Sequence, residues 1–234
     1  MTEKNPDRRY LALLPAAGVG ARMAAGCPKQ YLTVAGQPML RHAVAAFCAS
    51  PLISHTYVVV SAEDGYIDEV LPAGLAGVTV LRCGGDTRQA SVTNGLRAMA
   101  DRVDPDDWVL VHDAARCLIR PEWIRQLLAQ CHDDEVGGLL ALPLPDTLKA
   151  SVPGQACVAA TLPRQDKWLA QTPQMFRWGL LRLALQDLDE QITDEASAVE
   201  RLGHQPRLVP CSIENFKVTY PQDFLLAERL LATR

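Results

Sequence analysis

The chain alternates short apolar runs with longer segments of helical period. The apolar runs are rich in aliphatic and β-branched residues, as is typical of strands buried on both faces: YLALLPAA, TYVVVSA, VTVLRCG, WVLVHDAA and GGLLALPL. Between them lie amphipathic segments such as MLRHAVAAFCA and PEWIRQLLAQC, the second of which begins with Pro121 at a position that suits the first turn of a helix. This alternation predicts an α/β fold with a mostly parallel sheet and helices on both faces.

The pattern changes over about residues 143–165. Strand-like pieces flank the turn signal Pro153-Gly154, and no amphipathic helix accompanies them. We therefore predict a β-hairpin arm that projects from the main sheet. Because an isolated hairpin is only marginally stable in water, we expect the arm to pack on another surface, most simply on the same arm of a second subunit in a homodimer.

Length, charge and cysteine content narrow the class of protein. A length of 234 residues with 48% hydrophobic composition suits one domain over residues 1–234, which argues against a fused second enzyme. The formal net charge of −4 argues against a nucleic-acid partner, because binding the phosphate backbone needs a basic face. The seven cysteines form no C-x-x-C pair, so we expect reduced thiols and a cytoplasmic protein. The polar N-terminus and the lack of an apolar run of about 18 residues predict neither an export signal nor a membrane span.

The first predicted strand runs into a glycine-rich segment, PAAGVGARMAAGCPKQY. In an open α/β sheet the first strand-to-helix turn lies at the carboxyl ends of the strands, where ligands bind. The segment lacks the third glycine of the dinucleotide fingerprint and the Lys-Ser/Thr of a P-loop. It offers free backbone N–H groups from Ala16 to Gly20, which can lie close to phosphates, and positive charge from Arg22 and Lys29. On spacing alone, solvated surface cations explain these two residues equally well.

Two further segments follow predicted strands. In WVLVHDAAR, Asp113 stands at the carboxyl end of a buried strand, where a single carboxylate suits magnesium; by itself, a turn cap or a pair with Arg116 is the favoured interpretation. His112 is better explained as a packed or hydrogen-bonded histidine than as a base or a metal ligand. In CGGDTRQAS, a glycine pair before a helix N-terminus can hold a nucleotide through backbone groups, with Asp86 on the ribose; by itself, Asp86 as an N-cap is the simpler interpretation.

Seven motifs, taken in order, resemble the 2-C-methyl-D-erythritol 4-phosphate cytidylyltransferase family: PAAGVGARMAAGCPKQY, GGDTRQASVTNGL, VHDAAR, PDTLK, QTPQMF, ITDEASAVE and NFKVTYPQD. They extend from about residue 11 to residue 229. The resemblance implies transfer of a cytidylyl group from CTP to the sugar-alcohol phosphate with release of pyrophosphate, in the non-mevalonate route to isoprenoid precursors. It also implies a Rossmann-like sheet and a hairpin arm exchanged in a homodimer.

The resemblance assigns roles by motif position. Three cations would hold the triphosphate and stabilise the reacting α-phosphorus: Arg22, Lys29 and Lys217. Asp113 matches the magnesium-associated aspartate. The positions implied for cytidine binding are Ala16, Ala17, Gly18, Gly85, Asp86 and Ser91. The positions implied near the acceptor are Arg116, Thr147, Arg164, Thr172 and Thr193, of which Thr147 and Arg164 would reach across the dimer.

Three alternatives remain open at this point. A cytidylyltransferase for another polyol phosphate, such as ribitol 5-phosphate, would have the same build. A sugar-1-phosphate nucleotidylyltransferase has a similar glycine-rich loop, but HDAAR and ITDEAS point away from it. A CTP-binding regulator without turnover would not require three cations around one phosphorus.

Cys117 stands where relatives often have proline. Since no histidine partner is evident within its motif, we expect Cys117 to be a packing residue and not a nucleophile.

Overall fold

The computed structural model describes residues 8–18, 27–186 and 192–234, in which strands and helices alternate. The strands are β1 (Tyr10–Pro15), β2 (Thr33–Val34), β3 (Gln37–Pro38), β4 (Ile53–Val59), β5 (Val78–Leu81), β6 (Trp108–Val111), β7 (Gly137–Pro143), β8 (Leu148–Ser151), β9 (Val158–Leu162), β10 (Trp168–Arg177) and β11 (Arg207–Pro210). The helices are α1 (Met39–Cys48), α2 (Ile67–Val70), α3 (Arg88–Ala98), α4 (Pro121–Cys131), α5 (Trp178–Ala184), α6 (Glu195–Arg201) and α7 (Pro221–Ala232). Short 3-10 turns cover Lys29–Tyr31, Ala100–Arg102 and Ile213–Asn215.

A seven-stranded sheet in the order β11-β7-β10-β6-β1-β4-β5 forms the centre. Parallel pairs join β1 to β4 and β6, β4 to β5, and β7 to β11, whereas β10 runs antiparallel to β6 and β7. The predicted mostly parallel sheet is therefore confirmed. The long strand β10, which contains QTPQMF, was not predicted from the apolar pattern.

Apolar side chains point alternately to the two faces of this sheet and cover both. In β1, Ala12 and Leu14 belong to the cluster that packs under α1 and α4, while Leu11 and Leu13 belong to the cluster under α3, α5 and α6. This is the period of two expected for a strand buried on both faces. Both predicted helical layers are thus present, and the central strands β1 and β6 are the most deeply buried.

A smaller apolar cluster joins the C-terminal helix to the loop that follows β6. Cys117 and Val218 pack in it with residues of β2 and α7, and the Val218 N–H donates to the Ala115 carbonyl at 2.9 Å. Burial raises the pKa of the Cys117 thiol to about 11. Cys117 is therefore a packing residue, as expected, and the cluster fixes the chain next to Lys217 against the chain next to Asp113.

The predicted hairpin is present between β7 and β10. Strands β8 and β9 pair antiparallel in a two-stranded sheet of their own. All five residues of β9 are exposed. The arm predicted from the sequence thus exists as a hairpin, while its packing on a second subunit stays a prediction.

No helix among the described residues is both long and apolar enough to cross a membrane.

Candidate active site

A cavity of about 340 Å³ opens at the carboxyl ends of β1, β5 and β6. The segments that follow these three strands form its walls, together with the 3-10 turn at Lys29 and the loop that leads into α7. Nine of the residues singled out from the sequence line it: Ala16, Ala17, Gly18, Lys29, Gly85, Asp86, Ser91, Asp113 and Lys217. Arg22 lies outside the described residues. Parallel strands deliver these positions to one edge of the sheet, as the topology rule requires.

Two cations hold the carboxylate of Asp113. Arg88 donates through Nε to Oδ1 at 2.6 Å, and the Lys217 ammonium lies 2.7 Å from Oδ2. Burial alone would raise the pKa of Asp113, but these two cations hold it well below its ordinary value. Asp113 therefore stays ionised in the cavity wall, and its ion-pair partners are Arg88 and Lys217, not Arg116.

Arg88 is itself clamped by a buried carboxylate on α6. Its Nη1 and Nη2 donate to the two oxygens of Glu195 at 2.7 and 2.9 Å. Burial would lower the pKa of Arg88, but Glu195 and then Asp113 raise it above its ordinary value. Glu195 was not identified from the sequence, because the chain between it and Arg88 spans more than a hundred residues. Local spacing cannot bring such a pair together.

Lys29 lines the same cavity from the 3-10 turn at Lys29–Tyr31. Its Nζ donates to the carbonyl of Val218 at 3.1 Å, next to Lys217 in the chain. Pro28, with φ −59°, precedes the 3-10 turn that carries Lys29. The two lysines predicted to surround the phosphates therefore converge from chain segments far apart in sequence.

The backbone of the glycine-rich segment is less free than expected at its start. The Ala16 N–H donates to the Val59 carbonyl at 2.7 Å, and the buried Gln30 amide donates to the Ala16 carbonyl at 2.7 Å. The expectation of a free N–H at Ala16 is therefore wrong, because Ala16 still continues the β1–β4 ladder. Free N–H groups at Ala17 and Gly18 stay a prediction, and Val19 and Gly20 lie outside the described residues.

The glycine pair after β5 lies tightly against the sheet. The Gly84 N–H donates to the Val60 carbonyl at 2.8 Å, so no side chain fits between them. Ser91 accepts the Gly85 N–H at 3.1 Å and donates to the Thr87 carbonyl at 2.9 Å. Ser91 thus supports the Gly85 turn, and its single proton stays within the protein.

The N-cap of α3 is Thr87, whose hydroxyl accepts the Ala90 N–H at 3.0 Å. The simpler interpretation of Asp86 as the cap is therefore wrong. Asp86 instead lines the cavity, where a carboxylate can accept hydrogen bonds from ribose hydroxyls.

A buried hydrogen-bond chain supports the turn from Asp113 to Arg116. His112 Nε2 lies 3.2 Å from the Arg116 carbonyl, which can only accept, so Nε2 carries the proton and Nδ1 is an acceptor. The Thr172 hydroxyl, 3.0 Å away, donates to Nδ1 and accepts the Asp113 N–H at 3.1 Å. Burial lowers the pKa of His112 to about 4. The expected packed, hydrogen-bonded histidine is confirmed, and it is neutral.

Comparison with known proteins decides the family. A family model described as IspD, 2-C-methyl-D-erythritol 4-phosphate cytidylyltransferase, matches residues 10–233. The chain belongs to this family. Cytidylyltransferases of this name include one from Burkholderia multivorans that is 52% identical over 228 residues, covering 96% of each chain. A bifunctional enzyme IspD/IspF from Albidiferax ferrireducens is 56% identical over 227 residues, which are 97% of this chain and 54% of that protein. The chain thus spans about half of the bifunctional relative.

Solved structures of the family have the same fold. A crystal structure of a 4-diphosphocytidyl-2C-methyl-D-erythritol synthase is 40% identical with a TM-score of 0.85, covering 96% of this chain and 99% of that one. The cytidylyltransferase from Francisella tularensis is 34% identical with a TM-score of 0.81, covering 94% of this chain and 99% of that one. The nine cavity-lining positions therefore stand on a cytidylyltransferase scaffold.

None of the five positions that the cytidylyltransferase family implies for the acceptor lines the cavity. Thr147 and Arg164 are exposed on the arm, where Arg164 donates to the Pro145 carbonyl. Thr193 is exposed before α6, and its N–H donates to the Ser197 hydroxyl. Thr172 is buried beneath Asp113 with its hydroxyl engaged. Among the described residues, the two acceptor positions on the arm and the nine cavity-lining positions therefore do not share one cavity lining.

Arg116 lies behind the cavity wall in this cytidylyltransferase-family chain. Its Nη1 donates to the Asn215 carbonyl at 2.7 Å and its Nη2 to the Ala170 carbonyl at 3.3 Å. Burial lowers the pKa of Arg116. Since these two acceptors are neutral, its charge is not cancelled by them, which suits a nearby anionic group.

Asp113 is the residue that fits the magnesium implied for the cytidylyltransferase family. A carboxylate has more acceptor positions than the two used by Arg88 and Lys217, and magnesium commonly takes one carboxylate and completes its shell with substrate phosphates and water. In residues 8–18, 27–186 and 192–234, no group of three acidic, histidine or cysteine side chains could hold a metal alone. The residues therefore fit a cation that arrives with the triphosphate.

Proposed function

We propose that the chain transfers the cytidylyl group of CTP to 2-C-methyl-D-erythritol 4-phosphate, giving 4-diphosphocytidyl-2-C-methyl-D-erythritol and pyrophosphate. The observation that carries this proposal is the convergence of Lys29, Lys217 and Asp113 on one cavity at the carboxyl ends of the strands, in a chain that belongs to the cytidylyltransferase family. The reaction class requires such a cavity, because two highly anionic substrates must meet in it.

The chemistry follows from the charges of the reactants. An oxygen of the acceptor phosphate attacks the α-phosphorus of CTP, a new P–O bond forms, and the bond to the pyrophosphate oxygen breaks. A phosphate monoester is already ionised at neutral pH, so no general base is needed, and catalysis consists of positioning and electrostatic stabilisation. Lys29 and Lys217 supply fixed positive charge for the oxygens of the five-coordinate phosphorus. Arg22 is proposed as the third cation on the strength of its motif alone.

The nucleotide would lie along the glycine-rich walls. Backbone groups of Ala17, Gly18 and Gly85 are proposed to contact the phosphates and the base, and Asp86 to accept from the ribose hydroxyls. Ser91 acts on the base indirectly, because its hydroxyl holds the Gly85 turn. A rigid polar rim of this kind discriminates among bases, since a wrong base leaves buried groups without partners.

Asp113 is the proposed magnesium ligand. When bound, magnesium supplies neutralisation of triphosphate charge. Arg88 and Lys217 keep the Asp113 carboxylate ionised and oriented for this purpose.

All seven cysteines lie among the described residues and none is in a disulfide, which supports the proposed cytoplasmic location.

The arm supports a homodimer in which each subunit completes the acceptor site of the other. Val158 is 64% exposed on β9 and Leu169 is 47% exposed near the base of the arm, and both are apolar. Covering them with a second copy would remove this apolar surface from water. The partner copy would then bring Thr147 and Arg164 to the cavity.

Mixing two inactive variants tests this arrangement. Lys29→Ala and Arg164→Ala are mixed at equal concentration, unfolded and refolded together. If the arm acts across the dimer, about a quarter of the wild-type activity returns, because half of the dimers are mixed and each mixed dimer keeps one intact site. If the arm acts within its own subunit, mixing restores no activity.

Transfer of label from [α-³²P]CTP tests the reaction itself. The purified chain is incubated with magnesium and 2-C-methyl-D-erythritol 4-phosphate, and we expect label in the acceptor product in a one-to-one ratio with pyrophosphate. Lys29→Ala should lose this transfer, while Arg125→Ala, which removes an exposed cation on α4, should keep it. Tight CTP binding without label transfer would instead identify a CTP-binding regulator.

A further inference from the structure

A buried carboxylate that the proposed chemistry does not use lies just behind the cavity wall. Glu195 is the first residue of α6 and is only 1% exposed. Its neighbour Asp194 caps the helix, so Glu195 is not needed for that purpose. Both oxygens of Glu195 accept from the guanidinium of Arg88. A charged group in such a place is costly to bury unless it is paired, as Glu195 is with Arg88.

The geometry of the pair between Glu195 and Arg88 also determines how Arg88 contacts Asp113. A guanidinium is planar, so seating its two Nη atoms on Glu195 also determines the direction of its Nε–H. That Nε–H points at Asp113 Oδ1, at 2.6 Å. Glu195 thus sets the position of Asp113 without touching it, through one rigid side chain.

The net charge around Asp113 also depends on Glu195. Glu195, Arg88 and Asp113 together carry a net charge of −1, because Glu195 already balances the Arg88 charge. Without Glu195, Arg88 and Asp113 would sum to zero, and the carboxylate would attract a further cation less strongly. Lys217 pairs with the other oxygen of Asp113, so the four side chains together are neutral, and without Glu195 they would carry a net positive charge that opposes cation binding.

We propose that Glu195 is a positioning residue, which through Arg88 orients the Asp113 carboxylate and preserves its negative charge for a divalent cation bound with CTP. This inference rests on the proposed cytidylyl transfer. It predicts that removing the Glu195 charge weakens cation binding at Asp113 as well as turnover, although Glu195 does not line the cavity.

The test compares Glu195→Gln with Glu200→Gln, the same change at an exposed position of the same helix. Mn²⁺ binding to the enzyme with CTP is measured by electron paramagnetic resonance, and kcat by pyrophosphate release. For Glu195→Gln we expect Mn²⁺ affinity to fall about tenfold and kcat about tenfold to a hundredfold. Glu200→Gln should stay within about twofold of wild type in both.

The same substitution made in an Arg88→Ala protein shows whether Glu195 acts through Arg88. The Arg88→Ala protein lacks the side chain that contacts both Glu195 and Asp113. Adding Glu195→Gln to it should therefore change Mn²⁺ affinity by less than about twofold. The same tenfold loss in both backgrounds would overturn the proposal, because Glu195 would then act independently of Arg88. An unchanged Mn²⁺ affinity for Glu195→Gln in the wild-type background would overturn it as well.

Two features keep the outcome interpretable. If Glu195→Gln does not fold, Glu195→Asp takes its place: it keeps the charge but shortens the side chain, so the two-pronged contact with Arg88 is lost. We expect reduced Mn²⁺ affinity there too, and unchanged affinity would count against the proposal. A wild-type protein that binds Mn²⁺ with CTP but transfers no cytidylyl group would contradict the proposed function, while the Mn²⁺ comparison would still decide the role of Glu195.

Discussion

Replacing Thr172 with valine separates a structural role from an acceptor-binding role at this position. The motif resemblance implies that Thr172 contacts the acceptor, yet its hydroxyl is buried and joins His112 to Asp113 at 3.0 and 3.1 Å. Valine has nearly the same shape and replaces only the hydroxyl, with a methyl group. The perturbation therefore deletes the link in the hydrogen-bond chain without creating a cavity.

The expected loss follows from the groups left behind. Thr172→Val leaves the Asp113 N–H and the His112 Nδ1 without partners, and each buried orphan costs about 1–3 kcal/mol. The added methyl group recovers about 1 kcal/mol of apolar burial. We therefore expect the free energy of unfolding to fall by about 1–5 kcal/mol. Thr172→Ser keeps the hydroxyl and should lose only about 1 kcal/mol.

Urea unfolding followed by tryptophan fluorescence measures these losses. Wild type, Thr172→Val and Thr172→Ser are compared at one protein concentration, because association would change apparent stability. A loss below about 0.5 kcal/mol for Thr172→Val would refute the hydrogen-bond chain. If that result came with a higher KM for the acceptor, the hydroxyl would be assigned to the acceptor instead.

Three further predictions concern the cavity and its support. Lys29→Ala should lower kcat about a hundredfold with an unchanged melting temperature, measured by pyrophosphate release and calorimetry; near-normal kcat would remove Lys29 from the mechanism. Gly84→Ala should raise the KM for CTP about tenfold, because its Cβ would lie 2.9 Å from the Val60 carbonyl oxygen and against Ala17; an unchanged KM would show that the turn does not shape the nucleotide site. Burial lowers the pKa of His112 to about 4. As pH falls from about 6.5 to 4, His112 therefore takes up a proton in the unfolded chain but not in the folded one, so the free energy of unfolding falls by up to roughly 3 kcal/mol. His112→Gln should flatten this part of the urea-stability curve, and an equally steep curve would contradict the buried neutral histidine.

The main sheet was predictable because its parallel strands are buried on both faces. Such strands appear as continuous apolar runs, as in β1 and β6, and helices α1 and α4 show a clear apolar face. The topology rule for open α/β sheets then placed the segments after these strands at one edge. Nine of the candidate residues meet there for this reason.

Strand β10 escaped prediction because polar residues interrupt it. Gln171, Thr172 and Gln174 are all buried, and their partners are distant in sequence. The Gln174 amide, for example, donates to Asp194 at 2.9 Å and accepts the Ala196 N–H at 2.8 Å. A local pattern shows only that these residues are polar, whereas the folded chain supplies the hydrogen bonds that make their burial possible.

The support of Asp113 was missed for a similar reason. Arg88 was visible on its helix, but its partner Glu195 comes from an element far along the chain. One signal was available: Glu195 lies one turn before the buried Val199, so it falls on the apolar face of α6. A charged residue on a buried helix face indicates a paired charge, although its partner cannot be named from spacing.

The most direct test of cytidylyl transfer to methylerythritol phosphate is a comparison of two acceptors. Pyrophosphate release is measured with CTP and magnesium, using 2-C-methyl-D-erythritol 4-phosphate and ribitol 5-phosphate in parallel. We predict a kcat/KM at least about a hundredfold higher for methylerythritol phosphate, because polar groups placed for one acceptor are left unpaired by another. A preference for ribitol 5-phosphate, or pyrophosphate release with neither acceptor, would contradict the proposed function.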